Sequence, residues 1–537
     1  MSPEATRWST IDACLAEQAK ALPAKTLLAF GNKRYSYHEV DLAAHELAGG
    51  LARLGVSKGD AVSVILPNCP DNIFVWMALA KLGAVTASLN TEYRGDALSH
   101  LLKVVGAEVL LVDEQFADRV AEIASQIQHV RHIVYRASAG WSPPATLAQF
   151  AASDLGSLPV PGYVHERQGL HGRDPAMLLF TSGTTGPAKA VTITHGFALD
   201  MAADVSTHFG YRADDVIYTG YPLFHAAAAI CAFVASLALG ATMALSDRFR
   251  ASTFWDEIRY HGATITDLIG AAMVILHKRP AESSDADNPL RMAITVPTPS
   301  FYEEFEARFD LTVAESYGAT EFGHPFMDPV DGPERHRVGA CGKLTDRFEA
   351  RIVDHDDNDA PVGELLVRPK FADQHMAGYW GDPAATVEAW RNLWYHTGDR
   401  GHFDADGWFY YEGRLSDSIR KRGNNMSAYE IEQTLNNHPV VVESAAIGVP
   451  SQYTEDDVKV VVVLQRSATL THRALVDWCR DNMPKYMVPS YVEFADELPK
   501  NPTGKVNKRG LREDWNNART FAVGPEAFIG GPDSSSR

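Results

Sequence analysis

Residues 178–189, LLFTSGTTGPAK, combine hydroxyls, glycines and one lysine in a short segment. Apolar residues lead into the segment and strand-like sequence resumes at 190–194, so we expect two strands to flank a loop. Glycines let backbone N–H groups approach an anion closely, and hydroxyls add donors without charge. The pattern predicts a phosphate-binding loop, with a flexible polar hairpin as the alternative. It differs from a Walker A loop, because no Ser or Thr follows Lys189.

Further polar motifs follow this loop along the chain. They are AESYGATE at 314–321, YHTGD at 395–399, GRLSDSIRKRGNNMSAYEIE at 413–432 and PKNPTGKVNK at 499–508. In this order the set resembles the adenylate-forming superfamily, which contains acyl-CoA synthetases, peptide-synthetase adenylation domains and luciferases. The resemblance covers roughly residues 10–515. The segments most similar to carnitine/crotonobetaine-type acyl-CoA ligases are PLFH at 222–225, KRG at 421–423 and VPSYVEF at 488–494.

The resemblance implies a reaction that activates a carboxylic acid. The carboxylate attacks the α-phosphate of ATP, pyrophosphate leaves, and the acyl group then passes from AMP to the thiol of CoA. Negative charge builds at the phosphoryl group, so catalysis needs fixed cations and hydrogen-bond donors. Mg²⁺ needs at least one carboxylate together with waters and phosphate oxygens. The expected substrates and cofactors are a small-molecule carboxylic acid, ATP, Mg²⁺ and CoA.

The resemblance also implies roles for the motif residues. Tyr317 stacks on adenine, Glu321 binds Mg²⁺, and Asp399 accepts hydrogen bonds from the ribose hydroxyls. The expected catalytic residues are Lys505, Thr181, Lys189 and Glu321. The residues expected to bind ATP or AMP are Thr181, Ser182, Gly183, Thr184, Thr185, Lys189, Tyr317, Gly318, Thr320, Asp399, Arg414 and Lys505.

The last two motifs are expected to serve the two half-reactions in turn. By resemblance, Lys505 bridges the substrate carboxylate and phosphate oxygens during adenylation. Arg422 and Gly423 then form part of the CoA tunnel after the small domain rotates. The hinge position, usually Asp or Lys in this family, is Ser416 here, with Asp417 beside it. Either residue is a candidate pivot.

By resemblance, residues 218–231, 269–275 and 317–324 are expected to line the acyl pocket. The residues predicted to line it are His225, Ala226, Gly270 and Met273. Amino-acid-adenylating domains carry an Asp at the position of His225, which argues against an amino-acid substrate. Small apolar side chains predict room for a sizeable or medium-length acyl group. The alternatives are a core histidine and an alanine run that serves helix packing.

The elements that must position these motifs alternate between helices and strands. Helices are predicted at 38–56 and 71–82, and strands at 61–66 and 107–112. The expected fold class is α/β: a large multi-sheet N-terminal domain and a small mobile C-terminal α+β domain. Residues 138–175 are expected to form a surface connection.

The predicted domain bounds place the adenylation domain at 1–415 and the mobile domain at 416–520. Residues 521–537 are expected to be a disordered tail. A further strand is predicted at 363–367. The elements expected in the mobile domain are a helix at 428–436, strands at 445–448 and 458–464, and a helix at 471–482.

Composition narrows the class of protein further. A chain of 537 residues with 45% hydrophobic residues is long enough for more than one core. A net charge of −19 disfavours nonspecific nucleic-acid binding. The five cysteines form no CxxC pair, so neither a disulfide framework nor a zinc site is expected. No signal peptide or membrane-spanning run is apparent, which predicts a cytoplasmic protein, with a homodimer left open.

Three other functions compete with an acid–CoA ligase. The first is an adenylating enzyme that loads a carrier protein in trans. The second is a noncatalytic nucleotide-binding scaffold, which should have lost Lys189, Glu321 or Lys505, whereas all three are present. The third is a luciferase-type oxidase, which would share the first half-reaction. The motifs do not name the acid.

Overall fold

The computed structural model describes most of the chain. The described residues are 8–166, 169–181, 188–330, 334–421, 424–451, 456–466, 468–500 and 506–523. The chain forms two compact units. The larger comprises Met1–Ala350, Val367–Tyr395 and Ala405–Phe409, and the smaller comprises Arg351–Leu366, His396–Asp404 and Tyr410–Arg537. The boundary expected between residues 415 and 416 stays a prediction.

Helices of the larger unit surround its sheets. They are α1 Ile11–Ala21, α2 Tyr37–Arg53, α3 Pro70–Leu82, α4 Gly95–Val105, α5 Ala117–Glu122, α6 His195–His208, α7 Ala235–Leu239, α8 Phe254–His261, α9 Gly270–His277, α10 Tyr302–Phe309 and α11 Pro383–Ala389, together with a π-helix at Ala227–Val234. Helix α2 begins at a capping box, in which Ser36 and Glu39 each accept from the other's backbone N–H.

One sheet of the larger unit has the strand order β7-β6-β5-β3-β4-β8-β9. Its strands are β3 Ala61–Ile65, β4 Val85–Ser88, β5 Val109–Asp113, β6 His132–Arg136, β7 Ala151–Asp154, β8 Pro175–Thr181 and β9 Lys189–Thr194. Its interior strands run parallel and are buried, as expected of strands covered on both faces. Strand β9 returns antiparallel to β8 after the predicted phosphate loop.

The second sheet has the order β16-β15-β14-β13-β12-β10-β11-β1-β2. Its strands are β1 Thr26–Phe30, β2 Lys33–Ser36, β10 Val216–Thr219, β11 Thr242–Leu245, β12 Ile265–Ile269, β13 Met292–Val296, β14 Thr312–Ala319, β15 Gly323–Met327 and β16 Lys343–Leu344. Strands β12, β13 and β14 are parallel neighbours. Strand β15 then pairs antiparallel with β14, so the AESYGATE motif lies in a β-hairpin.

A further four-stranded sheet has the order β17-β18-β19-β20. Its strands are β17 Phe348–Val353, β18 Gly363–Pro369, β19 Tyr395–Phe403 and β20 Phe409–Arg414. The YHTGD motif begins β19, and the GR pair ends β20.

The smaller unit has its own apolar core between helices and a four-stranded sheet of order β23-β24-β25-β26. Its elements are the hairpin β21 Ser418–Lys421 and β22 Asn424–Ser427, the strands β23 Val441–Pro450, β24 Asp456–Leu464, β25 Tyr491–Ala495 and β26 Phe521–Ala522, and the helices α12 Ala428–Asn436, α13 His472–Asn482 and α14 Lys508–Glu513.

The predicted fold class is confirmed, because the larger unit combines helices with several sheets and the smaller unit combines helices with its own sheet. The helix expected at 38–56 is α2, and the strand expected at 445–448 is the middle of the longer β23. The surface connection expected at 138–175 contains the edge strand β7, which pairs with β6. No helix of the described chain is both long and apolar enough to cross a membrane.

Candidate active site

The two strands that flank the predicted phosphate loop bring its ends together. The antiparallel register of β8 and β9 sets Thr181 opposite Lys189. Lys189 is exposed, and its ammonium nitrogen lies 4.8 Å from the ring centroid of Tyr379. An exposed cation above an aromatic face is held by the ring quadrupole and keeps its other faces open to a ligand.

Tyr379 also contacts the carboxylate predicted to bind the metal. Its hydroxyl donates to Glu321 Oε1 at 3.3 Å and lies 3.1 Å from the hydroxyl of Tyr395. The backbone of this stretch is tied to Glu321, since the Met376 N–H donates to the Glu321 carbonyl at 2.8 Å. Tyr379 therefore joins Lys189 and Glu321, two residues that the sequence places in separate motifs.

Glu321 is 8% exposed, so its carboxylate is largely enclosed by protein. Within the described residues, the only cluster of three possible metal ligands is Asp354, His355 and Asp356, which are all exposed. Glu321 therefore does not belong to a three-ligand cluster in the described part of the chain. A lone carboxylate suits Mg²⁺, which usually keeps waters and binds substrate phosphates.

Tyr317 lies inside the hairpin formed by β14 and β15. It is 7% exposed, and its ring packs edge-on against Phe326 at 5.8 Å and Phe409 at 5.3 Å between centroids. Its neighbour Gly318 is exposed, and a Cβ there would lie 2.2 Å from the carbonyl oxygen of Gly323. Only glycine allows this close approach of the two strands. Thr320 follows at the turn and is half-buried.

Asp399 and Arg414 form an ion pair within the smaller unit. Arg414 Nε lies 2.7 Å from Asp399 Oδ1, and Arg414 Nη1 donates to the Thr397 carbonyl at 3.1 Å. Gly398 precedes Asp399 with φ +69°, a left-handed conformation that favours glycine. The Gly398 N–H donates to Glu364 Oε1 at 3.0 Å, which holds the turn that presents Asp399.

The residues predicted for the acyl pocket lie in different surroundings. His225 is half-buried, and its ring centroid is 6.3 Å from that of Tyr221. Half-buried Ala226 directly precedes the π-helix, a form often found at functional sites. Gly270 is buried, and Met273 is fully enclosed in an apolar core. Their predicted pocket roles stay predictions.

Polar side chains that the sequence analysis did not single out lie on the acyl-side segments. Burial raises the pKa of Asp267 to about 7 and lowers the pKa of His324 to about 4. His324 Nε2 lies 3.6 Å from Cys231 Sγ. The sequence did contain a sign of this cluster, because Asp267 is a charged residue in the middle of the apolar strand ITDLI. The expectation of a mostly small, apolar lining therefore left out these groups.

Several predicted residues lie outside the described part of the chain: Ser182, Gly183, Thr184, Thr185, Arg422, Gly423 and Lys505. The candidate pivot Ser416 lies in a short 3₁₀ segment at Leu415–Asp417. Asp417 is bound by helix α14, because Arg512 Nη2 donates to its carboxylate at 2.8 Å and Lys508 Nζ lies at 3.9 Å.

Known proteins match almost the whole chain. Residues 15–380 match the family model of the AMP-binding enzymes, and residues 430–505 match that of the AMP-binding enzyme C-terminal domain. A crotonobetaine/carnitine–CoA ligase from Salmonella heidelberg is 30% identical over 493 residues, which are 89% of this chain and 93% of that protein.

Solved structures share the fold. An anthranilate CoA ligase in complex with anthranoyl-AMP superposes with a TM-score of 0.83 at 23% identity, over 94% of this chain and 97% of that one. The O-succinylbenzoate coenzyme A synthetase of Bacillus subtilis, in complex with AMP, gives a TM-score of 0.80 at 24% identity, over 95% and 99% of the two chains.

Proposed function

The chain belongs to the AMP-binding enzyme family, and we propose that it is an AMP-forming acid–CoA ligase. In the first half-reaction a carboxylate attacks the α-phosphate of ATP to give acyl-AMP and pyrophosphate. In the second, the CoA thiolate attacks the acyl carbonyl carbon, and AMP leaves with the electrons of the broken C–O bond. The observation that best supports this is the convergence of Lys189 and Glu321 on Tyr379.

Lys189 and Glu321 suit complementary parts of a metal-bound triphosphate. The exposed ammonium of Lys189 neutralises charge on the β- and γ-phosphates, with Thr181 and the loop residues as donors. Glu321 would hold Mg²⁺, which when bound neutralises phosphate charge and orients the leaving pyrophosphate. Tyr379 keeps both side chains at fixed positions, so less reorganisation is needed when ATP binds.

Resemblance to the family assigns roles to residues of the other motifs. Asp399 receives the ribose hydroxyls, with Arg414 beside it as the second nucleotide contact. Lys505 bridges the acid and phosphate oxygens during adenylation. Rotation of the small domain then brings Arg422 and Gly423 to the site for CoA. The binding of Asp417 to helix α14 favours Ser416 as the pivot, because Asp417 is already anchored to the smaller unit.

CoA is favoured over a carrier protein as the acyl acceptor. The curated relatives at 30% identity are named CoA ligases, and the match extends over 93% of their length. A carrier protein in trans remains the second candidate. The acids named for relatives and structural neighbours range from carnitine and crotonobetaine to anthranilate and O-succinylbenzoate, so the family leaves the acid open.

A CoA-dependent AMP-release assay tests the proposal. The purified chain is incubated with ATP, Mg²⁺ and CoA over a panel of short, medium, long, aryl, steroidal and betaine acids. We expect AMP release and a new thioester with at least one acid, both dependent on CoA. Pyrophosphate release that is indifferent to CoA, combined with acylation of an added carrier protein, would instead identify the carrier-loading enzyme.

A further inference from the structure

Asp267 is a carboxylic acid in the middle of an otherwise largely apolar strand. It lies in the middle of β12, and successive side chains of a strand point to opposite faces of the sheet. Its neighbours Thr266 and Leu268 are buried, and Leu268 packs in the apolar core that contains Phe254 and Met273. Asp267 therefore points to the other face, where its charge acts on Cys231 of the π-helix. His324 of β15 lies 3.6 Å from that sulfur.

Asp267 is half-buried, and one oxygen of its carboxyl, Oδ2, is enclosed on that face. Among the described residues, none donates a hydrogen bond to it or forms an ion pair with it, and Oδ2 is buried without a partner. A buried polar group without a hydrogen bond is costly, and a buried charge without a counter-ion is more so. Such groups are rare in native structures and mark strain, an unplaced ion or a ligand site.

Polar groups surround Asp267, and two of them, on Tyr211 and His324, also have an atom without a partner among the described residues. Tyr211, Tyr221 and Cys231 each have a pKa that burial raises and the charge of Asp267 raises further. The hydroxyl of Tyr211 and Nδ1 of His324 are also buried without a partner. Three neighbouring segments thus present polar atoms that no described protein atom satisfies.

Two arginines of the larger unit are already paired with carboxylates. Arg347 binds Asp200 at 2.6 Å and Asp204 at 3.3 Å on helix α6. Arg291 binds Asp215 at 2.7 Å. Burial lowers the pKa of His324 to about 4, so this histidine is neutral at physiological pH.

The cluster adjoins the segments predicted to hold the acyl group. Tyr221 and Cys231 belong to residues 218–231, and His324 ends residues 317–324. His324 Nδ1 would lie 3.1 Å from a Cβ at Gly318, so the ring borders the exposed backbone of the AESYGATE motif. Asp267 lies two residues before the remaining segment, 269–275.

We infer that Asp267 is the residue that selects the acid, by accepting a hydrogen bond from a hydroxyl or amine carried on the acyl group. The inference rests on the proposed function, since the acyl group must enter between these segments. A donor on the substrate would satisfy the orphaned carboxyl, whereas a methyl group in the same place would leave it unsatisfied. Sites built to hydrogen-bond a substrate reject analogues that lack the group far more strongly than apolar pockets reject one methylene.

The test compares matched acids with and without the donor. Straight-chain acids of equal length that end in methyl, hydroxyl or amine are compared, as are benzoic acid and its hydroxy and amino derivatives. The measured quantity is kcat/KM for CoA-dependent AMP release with each acid. In the wild type we expect the best donor-bearing acid to exceed its methyl or unsubstituted counterpart on the order of 10²-fold.

Three variants locate the effect. In Asp267→Leu the preference for the donor should vanish or reverse. In Asp267→Asn the amide oxygen still accepts, so preference for a hydroxyl should persist within about tenfold while preference for an amine is lost. Thr266→Val, a buried neighbour on the opposite face of β12, is the control and should leave the ratio unchanged. Ratios within one variant cancel any loss of folded protein.

The pH dependence separates the two donors. With the Asp267 pKa at about 7, the carboxyl ionises as pH rises through neutrality. Preference for an amine over a hydroxyl should therefore increase above about pH 7 and stay flat in Asp267→Asn. If kcat/KM for the amine-bearing acid does not rise with pH, while the hydroxyl-bearing acid still exceeds its methyl counterpart, the substrate class is a hydroxyl-bearing acid.

The inference is overturned if the wild type uses donor-bearing and plain acids equally well, or if Asp267→Leu keeps the wild-type ratio. If no acid supports AMP release, the proposed function fails instead. Thermal stabilisation of the wild type and of Asp267→Leu by the same acids then measures selection without turnover. Equal stabilisation by all acids in that assay also counts against Asp267.

Discussion

The residues predicted to bind the nucleotide and those proposed to contact the acyl group differ in how their polar groups are paired. Among the predicted nucleotide-binding residues, Lys189 and Glu321 contact Tyr379, and Arg414 is paired with Asp399. On the acyl side, Asp267 keeps a buried oxygen without a partner. Under the proposed function, the groups needed for every substrate are held in place before binding. A group that distinguishes one acid from another is left for the ligand to satisfy.

Removing a protein group that acts on every acid substrate should lower the rates of acyl-AMP formation by the same factor for all acids. We expect the largest such effect from Lys505→Ala. We expect acyl-AMP formation to fall on the order of 10³-fold with each acid. The variant lacks the positive charge that would stabilise the negative charge developing on the phosphoryl group. Thioester formation from supplied acyl-AMP should be spared. Lys103→Ala, at an exposed position in helix α4, is the control. Equal loss in both half-reactions would assign Lys505 a structural role.

Glu321→Gln should have the next largest effect. We expect kcat/KM for ATP to fall on the order of 10²-fold and the Mg²⁺ requirement to rise, by the same factor for every acid. The amide keeps the shape, so the hydrogen bond from Tyr379 and the unfolding temperature should change little. Glu388→Gln, at an exposed site on helix α11, is the control. Wild-type Mg²⁺ dependence in Glu321→Gln would remove this residue from the metal site.

Variants at the pivot and the tunnel should separate the two half-reactions. Ser416→Pro fixes φ and removes an N–H, so it should restrict rotation and slow transfer to CoA about tenfold while acyl-AMP still forms. Gly423→Leu should slow the same step by obstructing the tunnel. Ser416→Ala keeps the N–H and serves as the control. Quenched single turnovers measure acyl-AMP and acyl-CoA separately, and transfer at the wild-type rate in both variants would contradict the assignment.

Asp267→Asn should affect stability in a pH-dependent way. The folded-state pKa of Asp267, about 7, lies above the unfolded value of about 3.9, so wild-type stability should fall as pH rises between them. Relative to the wild type, the variant should gain on the order of 2 kcal/mol in free energy of unfolding between about pH 5 and about pH 8. Urea titrations at several pH values measure the gain. Asp256→Asn is the control and should show no gain in stability, because the Asp256 side chain is 81% exposed. A gain of the same size in that control would mean that the effect is not specific to Asp267.

Much of the fold was predictable because its elements are locally encoded. Helix α12 begins and ends where its apolar spacing predicts, and strands β3 and β5 are recognisable as short apolar runs. Edge strand β7 was missed, since AASD lacks any apolar pattern and is held by pairing with β6. The two flanking strands of the phosphate loop were predicted because its motif is contiguous.

The sequence by itself determined the motif residues, because hydroxyls, glycines and charges at short spacings carry their geometry with them. The composition of residues 178–189 pointed to Lys189, whereas resemblance to the family pointed to Glu321 and Gly318. Only the tertiary structure decided that Tyr379, 58 residues beyond Glu321, would join it to Lys189. It likewise decided that Asp267 would face Cys231. Such contacts depend on strand order and on which face of a sheet a side chain occupies, and neither quantity is encoded in the spacing of residues along the chain.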